Sequence, residues 1–262
     1  MTQNNGYRRL ALLASDTEAA QTARMALSDM ADWVPLEEAD AAVVLGGDGF
    51  MLQTLHQMLD SGHILPVYGL NLGTVGFLMN RFRNGTKLIE RVAKSKAIIV
   101  APLTMSATTQ DGQTHRFSAI NEVSLLRETR QTAKIEVSVN EKIRIAELAC
   151  DGVLLATPAG STAYNLSARG PILPLDSQLL ALTPISPFRP RRWRGAILPD
   201  KSRVGFRILE ADKRPVAAVA DQKELRDIAE VQLEVSHDQE LTLLFDPGHS
   251  LDERIVAEQF LN

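Results

Sequence analysis

A glycine-rich junction with a single carboxylate, Gly46-Gly47-Asp48-Gly49, separates two strongly patterned segments. The preceding segment, AAVVL, is short and apolar, which is typical of a buried strand in a parallel sheet. The following segment, FMLQTLHQMLDSG, has helical spacing and closes at Gly62, a common residue just past a helix C-terminus. A strand that passes into a helix in this way predicts an open α/β sheet, whose carboxyl edge is where such folds bind ligands.

The same alternation of strand and helix continues on both sides of the junction. RRLALLAS (8–15) predicts a strand that ends at a capping box formed by Ser15 and Glu18. ILPVYGLN (64–71) predicts another strand, and TKLIERVAKSK (86–96) another helix. The first hundred residues therefore predict a Rossmann-like open sheet.

The later sequence becomes β-rich and partly alternating, interrupted by a short predicted helix that begins near Ser161. Its last segment, HSLDERIVAEQFLN, predicts a helix that opens with a capping box at Ser250 and Glu253. We expect an α/β domain of residues 1–99 with 246–262, and an all-β, sandwich-like domain of residues 100–245. The C-terminal helix should pack back on the first domain, because an amphipathic helix needs a surface on which to bury its apolar face.

Composition excludes several classes of protein. The net charge of −4 gives no electrostatic reason to expect nucleic acid or an anionic membrane surface as a partner. Cys150 is the only cysteine, so an internal disulfide is impossible and a reducing compartment is expected. No signal peptide or membrane-spanning run is evident, and we predict a cytoplasmic protein.

The junction combines groups suited to phosphate chemistry. Gly46, Gly47 and Gly49 would let the backbone approach a phosphate, and N–H groups at the following helix start could receive its oxygens. Asp48 would repel such an anion unless it accepts a proton from an attacking hydroxyl or holds a metal bound to the phosphates. The alternative is a simple tight turn. The P-loop pattern is absent, and no G-x-G-x-x-G follows the first strand.

Two further polar stretches interrupt apolar strands. In DGVLLATPAGSTAYNLSARGP (151–171), small hydroxyl residues and Tyr164 follow a strand and could hold a phosphate, a ribose or a stacked ring, although a structural strand-to-helix turn is equally consistent. Asn121 and Glu122 lie side by side in INEVSLL and offer donors and acceptors for ribose hydroxyls or a base amide. The alternative is a strand irregularity that leaves one of them exposed.

Taken together, GGDG (46–49), GLNLGTVGFL (69–78), NE (121–122) and residues 151–171 resemble the bacterial NAD kinase family, in family order and over most of the chain. The resemblance implies an α/β domain plus a β-sandwich, and transfer of the γ-phosphoryl group of ATP, or polyphosphate in some members, to the 2′-hydroxyl of the adenosine ribose of NAD. It also implies Mg²⁺ or another divalent metal, held mainly by donor phosphates rather than by a protein site, and a homodimer or homotetramer that can share sites between subunits.

The resemblance assigns roles to individual positions. Asp48 corresponds to the proton acceptor, and Gly46, Gly47 and Gly49 to the phosphate loop. Expected contacts to NAD are Asp48, Gly49, Phe77, Asn121, Glu122, Asp151, Ala159, Thr162, Ala163, Tyr164, Asn165, Ser167 and Gln222.

The chain departs from the family pattern at three places. Ala159 replaces a threonine, and Arg169-Gly170 replaces a pair of glycines. Ala220-Asp221-Gln222 stands where the family has Asp-Gly-Gln, so Asp221 and Gln222 are the candidate contacts there.

Some alternatives stay open at the level of sequence. The arginine-rich segment FRPRRWRGA (188–196) could be a phosphate clamp, but a surface or subunit-contact loop is the favoured interpretation. A lipid or sugar-phosphate kinase that shares the GGDG junction, or a non-catalytic NAD(P) sensor, are the rival functions.

Overall fold

The computed structural model describes residues 6–83 and 87–247, and these divide into two compact units. The first unit contains the described residues up to Val100 and those from Gln239 onward, and the second contains Ala101–Asp238. The predicted C-terminal helix, with Ser250 and Glu253, lies outside the described residues. Within the described ranges, no helix has the length and apolar character needed to cross a membrane.

The described elements are numbered in chain order. The helices are α1 (Glu18–Leu27), α2 (Asp48–Ser61), α3 (Leu88–Ala93) and α4 (Tyr164–Ser167). The strands are β1 (Leu10–Ala14), β2 (Ala41–Gly46), β3 (Val67–Asn71), β4 (Asn80–Arg81), β5 (Lys96–Val100), β6 (Leu103–Thr109), β7 (Thr114–Ala119), β8 (Glu122–Arg127), β9 (Ala133–Val139), β10 (Lys142–Cys150), β11 (Gly152–Ala156), β12 (Leu179–Ile185), β13 (Ala196–Pro199), β14 (Val204–Ile208), β15 (Val216–Ala220), β16 (Lys223–Leu225), β17 (Ile228–Val235) and β18 (Leu241–Phe245).

The first unit is built on one six-stranded sheet in the order β1-β2-β3-β18-β5, with β4 paired to β3. Strands β1, β2, β3 and β18 run parallel, and β5 is antiparallel to β18. All six residues of β2 are buried, as its continuous apolar sequence predicts. The parallel order brings the carboxyl ends of β2 and β3 to the same edge of the sheet.

The end of α2 is as predicted, whereas the residue that caps the start of α1 differs from the prediction. Helix α1 is capped by Thr17, whose hydroxyl accepts from the N–H of Ala20, and not by Ser15 as predicted. Ser15 instead shares a hydrogen bond with the Thr17 hydroxyl. Gly62 ends α2 with a φ of 72°, in the left-handed region that glycine adopts readily, which confirms the prediction for that helix end.

Strand β18 corrects the expected division of the chain. The sequence prediction assigned residues up to 245 to the β-rich domain, yet β18 lies between β3 and β5 in the sheet of the first unit. Asp246, directly after β18, holds this end of the strand: it accepts hydrogen bonds from the Tyr68 hydroxyl at 2.6 Å and from Arg91 Nη2 at 2.6 Å. Periodicity could not reveal this, because an apolar strand pairs equally well in either kind of sheet.

The second unit contains two antiparallel six-stranded sheets. One has the order β10-β9-β14-β17-β6-β7 and the other, which we call the site sheet, has the order β13-β12-β11-β8-β15-β16. Both contribute side chains to a single buried cluster, for example Phe206 from the first and Val123 and Leu155 from the site sheet. Since side chains alternate along a strand, Glu122 and Leu154 point to the opposite, outer face of the site sheet.

Candidate active site

The GGDG sequence connects strand β2 to helix α2 through a single residue. Strand β2 ends at Gly46 and α2 begins at Asp48, so Gly47 alone joins them. The N–H groups of Phe50 and Met51 bond back to the carbonyl of Gly47, while those of Asp48 and Gly49 precede the first intrahelical bond. The junction therefore presents the N-terminus of a 14-residue helix at the carboxyl edge of the sheet, a favourable place for an anion.

The Asp48 carboxylate bridges the junction to the second glycine-rich stretch. Its Oδ2 accepts from the N–H of Phe77 and its Oδ1 from the N–H of Leu78, each at 2.9 Å. An ionised carboxylate offers about four lone-pair positions, so two remain for another donor. The side chain is half-buried, and its orientation is set before any ligand binds.

The second glycine-rich stretch follows β3 and lies directly beside the junction. A Cβ on Gly73 would lie 3.4 Å from the Cα of Gly47, and Gly76 has a φ of 76°. The Asn71 side chain organises the turn, because its Oδ1 accepts from the N–H of Gly73 at 2.9 Å and its Nδ2 donates to the carbonyl of Val75 at 3.0 Å. Sequence reasoning missed Asn71, although an asparagine that opens a glycine-rich turn is a usable signal.

In the second unit, the Asn121-Glu122 pair stands at the start of β8 and is held from its N–H side by Asp221. Asp221 Oδ2 accepts from the N–H of Ile120 at 2.7 Å, and Oδ1 accepts from those of Asn121 and Glu122 at 3.0 and 3.1 Å. The N–H of Asp221 in turn donates to the carbonyl of Glu122.

The carbonyl side of the same segment is held by the start of the 157–171 loop. The Thr157 N–H donates to the carbonyl of Asn121 at 2.9 Å, and its hydroxyl donates to the carbonyl of Ile120 at 2.6 Å. Gly160 packs so closely that a Cβ there would lie 2.0 Å from the Asn121 carbonyl oxygen. The backbone of the pair is thus fixed on both sides.

Unlike the backbone of the pair, each of its two side chains has an oxygen without a hydrogen-bond partner in the part of the chain that the structure describes. Asn121 Oδ1 and Glu122 Oε2 are buried and have no hydrogen-bond partner within the described residues. Burial, followed by the negative charge of Asp221, raises the pKa of Glu122 to about 7, and a hydrogen bond from the Tyr164 N–H acts in the opposite direction. Unpaired buried acceptors are rare in folded proteins, so these two oxygens are candidates for contact with donor groups of a ligand.

Tyr164 lies on the outer face of the site sheet, packed against a cluster that includes Leu154 and Ala156. Burial raises the pKa of its phenol, and the charges of Glu122 and Asp151 raise it further. Both carboxylates therefore act electrostatically on the phenol, and the tyrosine ring offers a stacking surface.

The Asn165 side chain, a predicted contact to NAD, is hydrogen-bonded within its own loop. It is fully buried, its Nδ2 donates to the carbonyls of Ser161 and Pro171, and its Oδ1 accepts from the Thr183 hydroxyl at 2.7 Å. Both amide protons are therefore used within the fold.

The remaining predicted contacts of this loop differ in exposure. Ala159 is buried, Thr162 and Ala163 are half-buried, and Ser167 is exposed. The short helix expected near Ser161 is present as two pieces, a 3-10 turn and then α4.

Asp151 lies at the other end of the strand ladder. Glu122 faces Ala156 across β8 and β11, whereas Asp151 precedes β11 and pairs with Arg127 Nε at 2.6 Å. Across a six-residue strand this separation is about 17 Å of backbone. Sequence reasoning missed Arg127, because cross-strand partners depend on register and not on spacing along the chain.

Asp221 and Gln222 form the turn of the β15–β16 hairpin, in which Ala220 pairs with Lys223. Asp221 has a φ of 51°, in the left-handed region that glycine favours. Gln222 is exposed.

The arginine-rich segment is an exposed loop between β12 and β13. The guanidinium groups of Arg189 and Arg191 lie 5.5 and 5.4 Å from the centre of the Phe188 ring. In the described ranges, no carboxylate forms an ion pair with Arg189, Arg191, Arg192 or Arg194.

Comparison with known proteins finds matches to one family along nearly the whole chain. Residues 9–97 match the family model of the ATP-NAD kinase N-terminal domain, and residues 120–243 match that of the ATP-NAD kinase C-terminal domain. The chain is 62% identical to an NAD kinase of Rhizorhabdus wittichii, covering 96% of this chain and 98% of the relative. It is 59% identical to an NAD kinase of Zymomonas mobilis, covering 97% and 98%.

Solved structures show the same fold. An Archaeoglobus fulgidus NAD kinase in complex with ATP has a TM-score of 0.76 at 23% identity, with 95% of this chain and 98% of that chain covered. Yeast NADH kinase complexed with NADH has a TM-score of 0.80 at 21% identity, with 97% and 87% covered. At such identities the likeness concerns the fold alone.

Proposed function

The chain belongs to the NAD kinase family, and on that premise we propose how it transfers the γ-phosphoryl group of ATP to the 2′-hydroxyl of the adenosine ribose of NAD, giving NADP. The observation that carries this proposal is the position of Asp48. A carboxylate able to take a proton stands in the first turn of α2, beside the N–H groups best placed to hold phosphate oxygens.

Asp48 acts as the proton acceptor. As the 2′-oxygen bonds to the γ-phosphorus, its proton passes to Asp48, and the bond from that phosphorus to the β,γ-bridging oxygen breaks to release ADP. The N–H groups of Phe77 and Leu78 keep the carboxylate in one orientation, so that little reorganisation is needed in the transition state. Gly46, Gly47 and Gly49 leave room for the donor phosphates.

Asn121 and Glu122 recognise the dinucleotide. Their unpaired buried oxygens accept hydrogen bonds from ribose hydroxyls or a base amino group, and Tyr164 supplies a stacking face. The half-buried Thr162 and Ala163 line the same loop, together with backbone at Ala159. Gly49, Phe77 and Gln222 complete the proposed set.

Asp151 and Ser167 suggest a shared site. Asp151 is about 17 Å along the ladder from Glu122, and Ser167 is exposed. We assign both to contacts with NAD bound by a partner subunit in a homodimer or homotetramer. A protein that is monomeric in sedimentation and fully active would contradict this part of the proposal.

We propose that the donor phosphates, and not a protein site, hold the divalent metal. Among the residues that the structure describes, no three His, Cys, Asp or Glu side chains group closely enough to hold an ion. The expectation that the ion arrives on the donor phosphates stays a proposal. Mg²⁺ bound in that way would neutralise charge on the transferring group.

Finer features of fold and location are part of the same proposal. The parallel order of the first sheet supports a Rossmann-like description, and the core shared by the two antiparallel sheets supports a β-sandwich. The single buried cysteine is consistent with the cytoplasm.

The decisive experiment measures NADP formed from NAD, and NADPH formed from NADH, with ATP or polyphosphate as donor. We expect product with NAD and ATP in the presence of Mg²⁺. Phosphorylation of a lipid such as diacylglycerol, with none of NAD, would favour the rival kinase. Tight NAD binding without any product would favour a sensor.

A further inference from the structure

We propose that Asp221 is a positioning residue for nucleotide recognition: its carboxylate holds the backbone of Asn121 and Glu122 so that their unpaired side-chain oxygens face the dinucleotide. The inference rests on the proposed function of that pair.

The geometry argues for a role beyond a turn residue. One side chain accepts hydrogen bonds from three consecutive N–H groups, Ile120 to Glu122, across 99 to 101 residues of sequence. A hairpin turn needs none of these bonds, and a glycine would satisfy the φ of 51° with less strain. The carboxylate therefore stands in this turn at some conformational cost, and the groups that it contacts belong to the candidate site.

The charge of Asp221 has a second effect on the site. Strand β8 is flanked at Glu122 by Ala156 of β11, which does not titrate, and by the Asp221 turn, and it is covered by Tyr164 of α4. Asp221 therefore supplies the negative charge that keeps the pKa of Glu122 near 7, after the larger effect of burial. Ribose hydroxyls that donate to the ionised carboxylate stabilise that form, so the affinity for NAD should rise as pH rises through this value.

The test compares Asp221→Asn and Asp221→Gly with a matched control, Asp227→Gly. Asn keeps an oxygen for the N–H groups of Asn121 and Glu122 but loses the acceptor for Ile120, whereas Gly loses all three. Asp227 also lies in a turn with a positive φ of 55°, and its carboxylate contacts neither residue of the pair. Glycine suits both backbones, so folding should survive, which a thermal melt checks.

We expect the KM for NAD to rise about 10-fold in Asp221→Asn and about 100-fold in Asp221→Gly, with kcat changed less than about 3-fold. A hydrogen bond to a charged group is worth about 1.5–3 kcal/mol, or about one to two tenfold steps, and only part of the loss at the backbone reaches the nucleotide. The pH at which NAD affinity is half-maximal should fall in both variants, because the charge that raises the Glu122 pKa is gone. Asp227→Gly should match the unmodified protein in both measurements.

Two further variants separate the inference from the proposed function. Asn121→Ala and Glu122→Gln should weaken NAD binding, and the second should abolish the pH midpoint. If these two leave NAD binding unchanged, the pair is not the recognition site and the proposed function of these residues fails. If they weaken binding while the Asp221 variants keep the KM and the pH midpoint, the positioning role alone is overturned.

Discussion

Replacing Asp48 with asparagine removes the proton acceptor and also disturbs the connection between two glycine-rich stretches. The carboxylate accepts from the N–H groups of Phe77 and Leu78, each at 2.9 Å. An asparagine of the same shape has one oxygen and one amino group, so it can serve only one of these N–H groups. The other would face a second donor, which costs about 1–3 kcal/mol when the group is buried.

The variant should therefore show two effects of different size. Turnover should fall about 100-fold or more, the usual range for loss of a general base, which equals about 2.7 kcal/mol of transition-state stabilisation. NAD binding should remain measurable. The midpoint of thermal unfolding should fall by about 2–4 °C for each kcal/mol lost, as is typical for a chain of this size.

Asn71→Ala provides the control that separates chemistry from loop structure. It deletes two hydrogen bonds that organise the same turn, to the Gly73 N–H and the Val75 carbonyl, and leaves Asp48 in place. We expect a comparable loss of stability, with turnover lowered less than about 10-fold. Near-normal turnover in Asp48→Asn, or an equal loss of turnover in both variants, would refute the role of Asp48 as proton acceptor.

Three other predictions follow from the second unit. Gly160→Ala should weaken NAD binding at least about 10-fold and lower stability, because the new Cβ would collide with the backbone carbonyl of Asn121, and calorimetric titration with a thermal melt measures both. Burial and the Asp221 charge raise the pKa of Glu122 to about 7, so between about pH 4.5 and 7 the folded state holds a proton that the unfolded state has lost. The free energy of unfolding, measured with urea, should therefore fall as pH rises through this range. Glu122→Gln should remove that pH dependence. Burial raises the pKa of Cys150 to about 12, so a thiol reagent at pH 8 should modify it only upon unfolding, and rapid modification of the native protein would contradict this.

The sequence predicted the segments that carry chemistry better than it predicted how they are joined. The strand and helix around Gly46 to Gly49 have strong periodicity, and the structure contains both. Sequence spacing could not show that Asp48 lies in the first helical turn, or that its carboxylate bonds to backbone 29 and 30 residues later. Such contacts depend on which strands are neighbours, and β18 shows how an apolar strand can join a sheet far away in sequence.

Residue type alone also failed to separate ligand contacts from structural ones. Asn165 and Asn121 are both asparagines in polar stretches after or within apolar strands. The structure uses both amide protons of Asn165 within its own loop, whereas the Asn121 Oδ1 is buried without a partner in the described chain. The hydrogen bonds around each side chain distinguish them, and they make Asn121 the stronger candidate for a ligand contact.

Asp48 and the Asn121-Glu122 pair differ in how their side-chain oxygens are paired. The Asp48 carboxylate accepts two backbone hydrogen bonds, which fix its orientation. Asn121 and Glu122 have fixed backbones but buried, unpaired oxygens, and leaving such an acceptor unsatisfied costs about 1–3 kcal/mol per group. A ligand that donates to both recovers that cost, while one lacking a donor does not. Discrimination between nucleotides should therefore reside in the Asn121-Glu122 pair, and the reaction step in Asp48.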